Sequence, residues 1–193
     1  LDLTRPVVMG VLNVTPDSFS DGGRFVDVAA AVAAAERMRA AGADIIDVGG
    51  ESTRPGSEGV PEAEELRRIL PVIEALAGQG LTVSVDTRKA NVMRAALKAG
   101  ARIVNDVAAL TYEPAAMQAM AEATCPVILM HAQGDPKTMQ LSPRYDDVAL
   151  DVFDWLEARI EACVAAGIAR ERIVADPGIG FGKSFRHNID VLR

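Results

Sequence analysis

Short runs of almost continuously apolar residues alternate along the chain with longer segments whose apolar residues recur at helical spacing. The runs are 7–14 (VVMGVLNV), 44–49 (DIIDVG), 81–86 (LTVSVD), 102–106 (RIVND), 126–131 (PVILMH) and 172–176 (RIVAD). They are rich in Val and Ile and do not alternate strictly, as expected of strands covered on both faces. Between them the pattern predicts a helix over 27–41 ending at Gly42, and a second with Pro61 at its first position. A third is predicted over about 89–99, stopped by Gly100, and a fourth after Pro114. The longest begins near Asp146, carries Val148, Val152, Leu156, Ile160 and Val164 in steps of four, and ends at Gly167. Strand–helix alternation with short connections predicts βαβ units around a parallel sheet.

Spacing narrows the architecture. From Asn13 to Asp176, taken as successive strand ends, five units average about 33 residues, close to the average of an eight-unit barrel of ~250 residues. The fold expected is therefore α/β, a (β/α)8 TIM barrel with about six of its eight βα units in this chain, as one domain over 1–193. A six-stranded doubly wound sheet fits the spacing as well.

The strand ends carry polar residues: Asn13, Asp86, Asn105 with Asp106, His131 and Asp176, while Asp47 leads into Gly49 and Gly50. A ring of polar strand ends is what a barrel active site looks like in sequence, although any single Asn or Asp can as well cap a helix or start a turn. Two loops, 10–23 (GVLNVTPDSFSDGG) and 49–59 (GGESTRPGSEG), are long, polar and glycine-containing, which predicts function and mobility rather than mere connection. Arg54 is the best anion ligand there, its planar fork matching phosphate oxygens.

Composition removes several alternatives. A net charge of −7 argues against nucleic-acid binding. No leader opens the chain and no apolar run approaches the ~20 residues of a membrane span, so a soluble cytoplasmic protein is expected. Cys125 and Cys163 lie in apolar stretches and read as buried free thiols. Two cysteines and two histidines form no zinc spacing. Gly182-Lys183-Ser184 resembles the end of a phosphate-binding loop, but that motif needs glycine where Pro177 stands, and proline has no N–H to offer.

The segments MGVLNVTPDSFSDGG (9–23), DVGGESTRPG (47–56), VDT (85–87), ND (105–106), LMH with the following QGDPKTMQ (129–140) and DPGIGFGK (176–183) together resemble dihydropteroate synthases, in order and along nearly the whole chain. The resemblance implies a barrel that condenses 6-hydroxymethyl-7,8-dihydropterin pyrophosphate with p-aminobenzoate, giving 7,8-dihydropteroate and pyrophosphate in folate synthesis. It implies Asp176 as the carboxylate accepting two pterin N–H groups, Asn105 beside it, and Met130 on the ring face. Asp86, a second pterin contact, would favour positive charge developing on the ring; Asp86 and Asp176 are thus the expected catalytic pair.

The resemblance further implies Asn13 as ligand to Mg2+, and Thr53 and Arg54 at the phosphate end and the aminobenzoate mouth. Phe19, Pro55 and Phe181 become apolar walls of the aminobenzoate pocket. It carries sulfonamide sensitivity and a homodimer whose interface uses late helices. The family's last two βα units, with a Ser-Arg-Lys and an Arg-x-His motif, have no counterpart up to Arg193. A pterin-binding methyltransferase and a non-catalytic pterin-binding module share the barrel; the loops at 10–23 and 49–59, which serve pyrophosphate and aminobenzoate, favour the synthase over the methyltransferase.

Overall fold

A computed structural model describes residues 4–15, 23–51, 59–134 and 138–193, with backbone alone at 23–27. Six strands emerge, β1 (Met9–Asn13), β2 (Ile45–Gly49), β3 (Thr82–Asp86), β4 (Ile103–Asp106), β5 (Val127–Met130) and β6 (Ile173–Asp176). Between and after them come α1 (Gly23–Ala40), α2 (Glu62–Gly78), α3 (Ala90–Ala99), α4 (Pro114–Glu122), α5 (Val148–Ala165) and α6 (Phe185–Val191). Each strand lies inside its apolar run, trimmed by a residue or two.

All pairings are parallel and the strand order is β1-β2-β3-β4-β5-β6. This order decides between the two architectures that spacing left open. A doubly wound sheet starts in its middle and reverses direction, whereas an unbroken sequential order is that of a barrel wall. The chain is six consecutive staves of a (β/α)8 barrel.

The two sides of the wall differ in chemistry. Leu12, Ile46, Val48, Val83, Val85, Val104, Val127 and Leu129 join Ile69, Val72, Ile73 and Leu76 of α2 and Val92, Met93 and Ala96 of α3 in one apolar core. The opposite side, the barrel interior, takes the alternate residues and with them Asn13, Asp47, Ser84, Asp86, Asn105, Met130 and Asp176. Cover on both faces holds at β2, buried at every residue, and fails at the edge, where Val11 is 58% exposed on the interior side.

Helix α5 departs from its simple sequence reading. Asp147 caps it, accepting the N–H groups of Ala149 at 3.0 Å and Leu150 at 3.1 Å. Val148, Val152 and Leu156 are buried, but Val164 is exposed and Cys163 takes its place in the core. Steps of four drift by about 40° each on a helix of 3.6 residues per turn. By the fourth step the seam has rotated off the buried face.

Among the described residues no helix is long and apolar enough to cross a membrane. Both cysteines are free, Cys163 buried and Cys125 partly so.

Candidate active site

Strand register sets the site. Asn13 pairs with Gly49, Gly49 with Asp86, and Asp86 with Asn105, so one row crosses four strands at their C-terminal ends. Met130 pairs with Asp176 on the next two. Asp86 and Asn13 flank Gly49 closely: a Cβ there would sit in ordinary contact, 3.4 Å from Asp86 Oδ2 and 3.6 Å from Asn13 Oδ1. Asn13, Asp86, Asn105, Met130 and Asp176 thus share the interior face of the wall. Phe19, Thr53, Arg54 and Pro55 lie outside the described residues.

Asp47, which leads into Gly49 and Gly50 in the sequence, is a supporting residue. It is 3% exposed and its Oδ2 accepts the Asn105 Nδ2 hydrogen at 2.9 Å. That contact fixes which way the Asn105 amide faces. Asp47 Oδ1 and Ser84 Oγ are both buried, and Ser84, like Asn105, favours the charged form of Asp47. Burial raises the Asp47 pKa. It raises that of Asp86 much further, and the charges of Asp47, Asp106, Glu65 and Glu51 push the same way. Among the described residues the row therefore gathers acidic groups and suits a ligand rich in N–H donors or itself cationic.

The nearby cations are already engaged. Lys89 Nζ donates to Glu51 Oε2 at 2.6 Å, to Glu65 Oε2 at 2.5 Å and to the Val60 carbonyl at 2.8 Å. Thr87 Oγ1 donates to Glu65 Oε1 at 2.6 Å, and Arg88 Nη2 to Glu51 Oε1 at 2.5 Å. The Val60 N–H closes the circuit on Glu51 Oε2 at 3.1 Å. Burial alone would raise Glu51 and lower Lys89; the mutual hydrogen bonds and charges overcome it in both. Glu51 and Val60, nine residues apart, are thereby fastened to each other and to the start of α3.

Beyond the row lies a cavity of about 170 Å³ lined by Arg88, Val107, Met130, Met139, Trp155 and Phe181, among others. A small pocket that includes Asp86 shares Arg88 and Val107 with it. The Arg88 guanidinium also stacks 4.3 Å from the Tyr112 ring centroid. Polar row and apolar, aromatic cavity are therefore contiguous, as a flat polar ring would require.

Asp106, despite its place at a strand end, faces away from the row. It is fully buried and accepts the N–H groups of Ala108 at 2.7 Å and Leu110 at 2.8 Å. Ala109 and Leu110 both have positive φ, 48° and 61°, which costs energy in residues with a Cβ. Arg159 of α5 holds that turn from outside, donating to the Ala109 carbonyl at 2.6 Å and the Leu110 carbonyl at 3.3 Å. Here the plain turn-forming role of aspartate is the correct one.

His131 and the loop after β6 complete the rim. Gly178, at φ 67°, packs so tightly that a Cβ would lie 1.9 Å from the His131 carbonyl oxygen, and one on Gly182 would lie 2.3 Å from that of Gln133. The His131 ring meets Trp155 edge-on at 5.0 Å. His187 is half-buried, 5.0 Å from the Tyr145 ring, in a capping box with Ser184.

Two buried groups give opposing pH dependences. Burial, helped by the charge of Lys183, lowers His131 to about 4 from its ordinary 6.5. The unfolded chain then takes up that proton first, so this contribution to stability is lost as pH falls from 6.5 towards 4. Burial raises Asp106 to about 6 from 3.8, so the folded chain protonates first and gains stability as pH falls through 6. Asp106→Asn removes the counterweight. Its urea midpoint is expected to fall more steeply than that of the unaltered chain between pH 6.5 and 4; parallel slopes would contradict the account.

Residues 9–193 match the family described as pterin binding enzyme. The chain is 53% identical over 193 residues to the dihydropteroate synthase of Escherichia coli strain K12, covering all of this chain and 68% of that protein. It is 47% identical over 194 residues to that of Haemophilus influenzae, covering 70% of it. A crystal structure of Yersinia pestis dihydropteroate synthase with a sulfonamide drug complex superposes with a TM-score of 0.92 at 53% identity, over all of this chain and 70% of that one. One from Xanthomonas albilineans in complex with 7,8-dihydropteroate does so at 0.86 and 50% identity, over all of this chain and 68% of that one.

Proposed function

The chain belongs to the dihydropteroate synthase family of pterin-binding enzymes, and from that premise we propose that it acts as the family does. It joins 6-hydroxymethyl-7,8-dihydropterin pyrophosphate to p-aminobenzoate, giving 7,8-dihydropteroate and pyrophosphate. The observation that carries this reading is the row itself. Asp86 faces the interior between Gly49 and Asn105, with the charges of Asp47, Asp106, Glu65 and Glu51 around it, on the same wall as the Met130–Asp176 pair and next to the aromatic cavity.

In this reading Asp176 accepts the adjacent N–H and amino donors of the pterin, and Asn105, oriented by Asp47, reads the next edge. Met130 packs on the ring. As pyrophosphate departs, positive charge grows on the ring and its methylene carbon, and Asp86 stabilises it in a site already shaped for it. The arylamine then attacks that carbon from a pocket walled by Phe181, Phe19 and Pro55, while Thr53 and Arg54 serve the phosphate end and the aminobenzoate mouth. Enclosure excludes the water that would otherwise capture the carbon.

The donor set suits magnesium. Asn13 offers an amide oxygen at the end of β1, with the Asp86 carboxylate across Gly49 from it. Among the described residues no cluster of three or more His, Cys, Asp or Glu gathers around a metal position. Asn13 would hold the ion through that amide oxygen. When bound, Mg2+ would neutralise charge on the leaving group. The same reading carries a cytoplasmic protein without nucleic-acid or membrane partners, the net charge of −7 speaking against nucleic acid.

The test is pyrophosphate release from the dihydropterin pyrophosphate with magnesium, with and without p-aminobenzoate. Arylamine-dependent release is expected. Folded protein that binds the pterin but releases nothing on adding the arylamine would leave a binding module in place of a synthase.

A further inference from the structure

Lys183 follows a glycine-rich loop, where a phosphate-binding lysine would reach outward; here it does the opposite. It is 2% exposed, and its Nζ donates to the Gly178 carbonyl at 2.9 Å and the Phe181 carbonyl at 3.1 Å. It also lies 2.9 Å from His131 Nδ1 and 3.4 Å from the His131 carbonyl. A lysine ammonium only donates, so Nδ1 accepts, and the imidazole carries its hydrogen on Nε2. Two further loop carbonyls are held from outside: Tyr145 donates to that of Gly182 at 2.8 Å, and Gln140 to that of Gly180.

We propose that Lys183 is a positioning residue: its ammonium clamps the 177–183 loop onto the end of β5 and so sets Phe181 against the Met130 cavity. Three observations converge on it. Phe181 and Met130 line the same cavity, and the Phe181 carbonyl is itself one of the clamp's acceptors. Gly178 and Gly182 allow a backbone approach that any side chain would block, so the loop is built to be pulled close. The clamp also lies next to Asp176, whose Oδ1 accepts the Gly178 N–H at 2.7 Å and whose carbonyl accepts the His131 N–H at 2.9 Å. Burial brings Lys183 down to about 8, still charged at neutral pH, facing an imidazole held neutral.

The inference rests on the synthase reading for the role of Phe181 and on geometry alone for the clamp. Lys183 touches no reacting atom, so its loss should weaken binding rather than chemistry. Lys183→Met is expected to raise the p-aminobenzoate KM about tenfold, the effect of losing roughly one charge-assisted hydrogen bond, while kcat changes by less than about threefold. Lys183→Gln, keeping one donor, should fall between, and it carries the test if the methionine variant fails to fold. Unchanged KM in the folded variants overturns the proposal, as does a fall in kcat with KM constant. Hydrogen exchange at the amides of 180–182 reads the clamp without turnover. Undiminished protection in the variants overturns it. If protection is lost but the unaltered chain shows no arylamine-dependent release, the synthase reading fails and the clamp stands.

Discussion

Asp176→Ala is expected to lower kcat/KM for the dihydropterin pyrophosphate by about 10³-fold, with the fold intact. The carboxylate is proposed to meet two ligand N–H groups at once, and hydrogen bonds to a charged group contribute roughly 1.5–3 kcal/mol each. Losing both gives about 4 kcal/mol or somewhat less than a factor of 10³ per pair of moderate bonds. Asp176→Asn sharpens the test. It has nearly the same shape and can still accept the Gly178 N–H at one oxygen, the contact seen at 2.7 Å. Its amide group, however, would present hydrogens to a ligand edge that itself donates. The asparagine variant should therefore be nearly as inactive as the alanine one. Melting temperatures of both should stay within a few degrees of the unaltered chain, since the residue is only partly buried. Activity retained by Asp176→Asn would remove the paired acceptor from the mechanism.

Lys89→Met is expected to cost about 3–5 kcal/mol of folding stability, because it strips Glu65, 1% exposed, of its counter-charge and leaves Glu51 beside it paired with Arg88. In a domain of this size that lowers the melting temperature by roughly 10 °C. The double variant Glu65→Leu with Lys89→Met removes charge from both sides. It should recover at least half of the loss, since apolar replacement of a buried pair is often close to neutral. Urea unfolding of the two variants decides the matter. A loss below about 1 kcal/mol in the single variant would mean that water reaches the network freely.

Most of the wall could be read from the chain because periodicity reports it directly. Apolar runs located the strands among the described residues, and the polar residues at or near the ends of those runs located the row of Asn13, Asp86 and Asn105 and, two strands on, Asp176. Spacing alone could not tell barrel from doubly wound sheet; only strand order does, and order is a property of pairing between distant segments.

What sequence reading missed has one physical cause. Lys89 with Glu65, Arg159 with the Ala109 carbonyl, and Lys183 with His131 are contacts across 24, 50 and 52 residues. A charged residue inside such a network looks, in one dimension, like any solvated one. Asp106 shows the converse, since a strand-end aspartate can complete a turn as readily as a site. Asp47 offered a weak clue, an acid inside the run DIIDVG, but its partner Asn105 lies 58 residues away.

The sequential strand order bears on how the protein is made. Among the described residues each strand pairs with its neighbours in the chain, and the widest such step, from Val127 to Ile173, spans 46 residues. Closure of loops this short keeps contact order low for a parallel sheet. At ribosomal rates of about 5–20 residues per second, each new βα unit emerges within roughly 2–10 s of the one it docks against. The wall can thus be laid stave by stave during synthesis, each strand meeting an edge already formed by its predecessor.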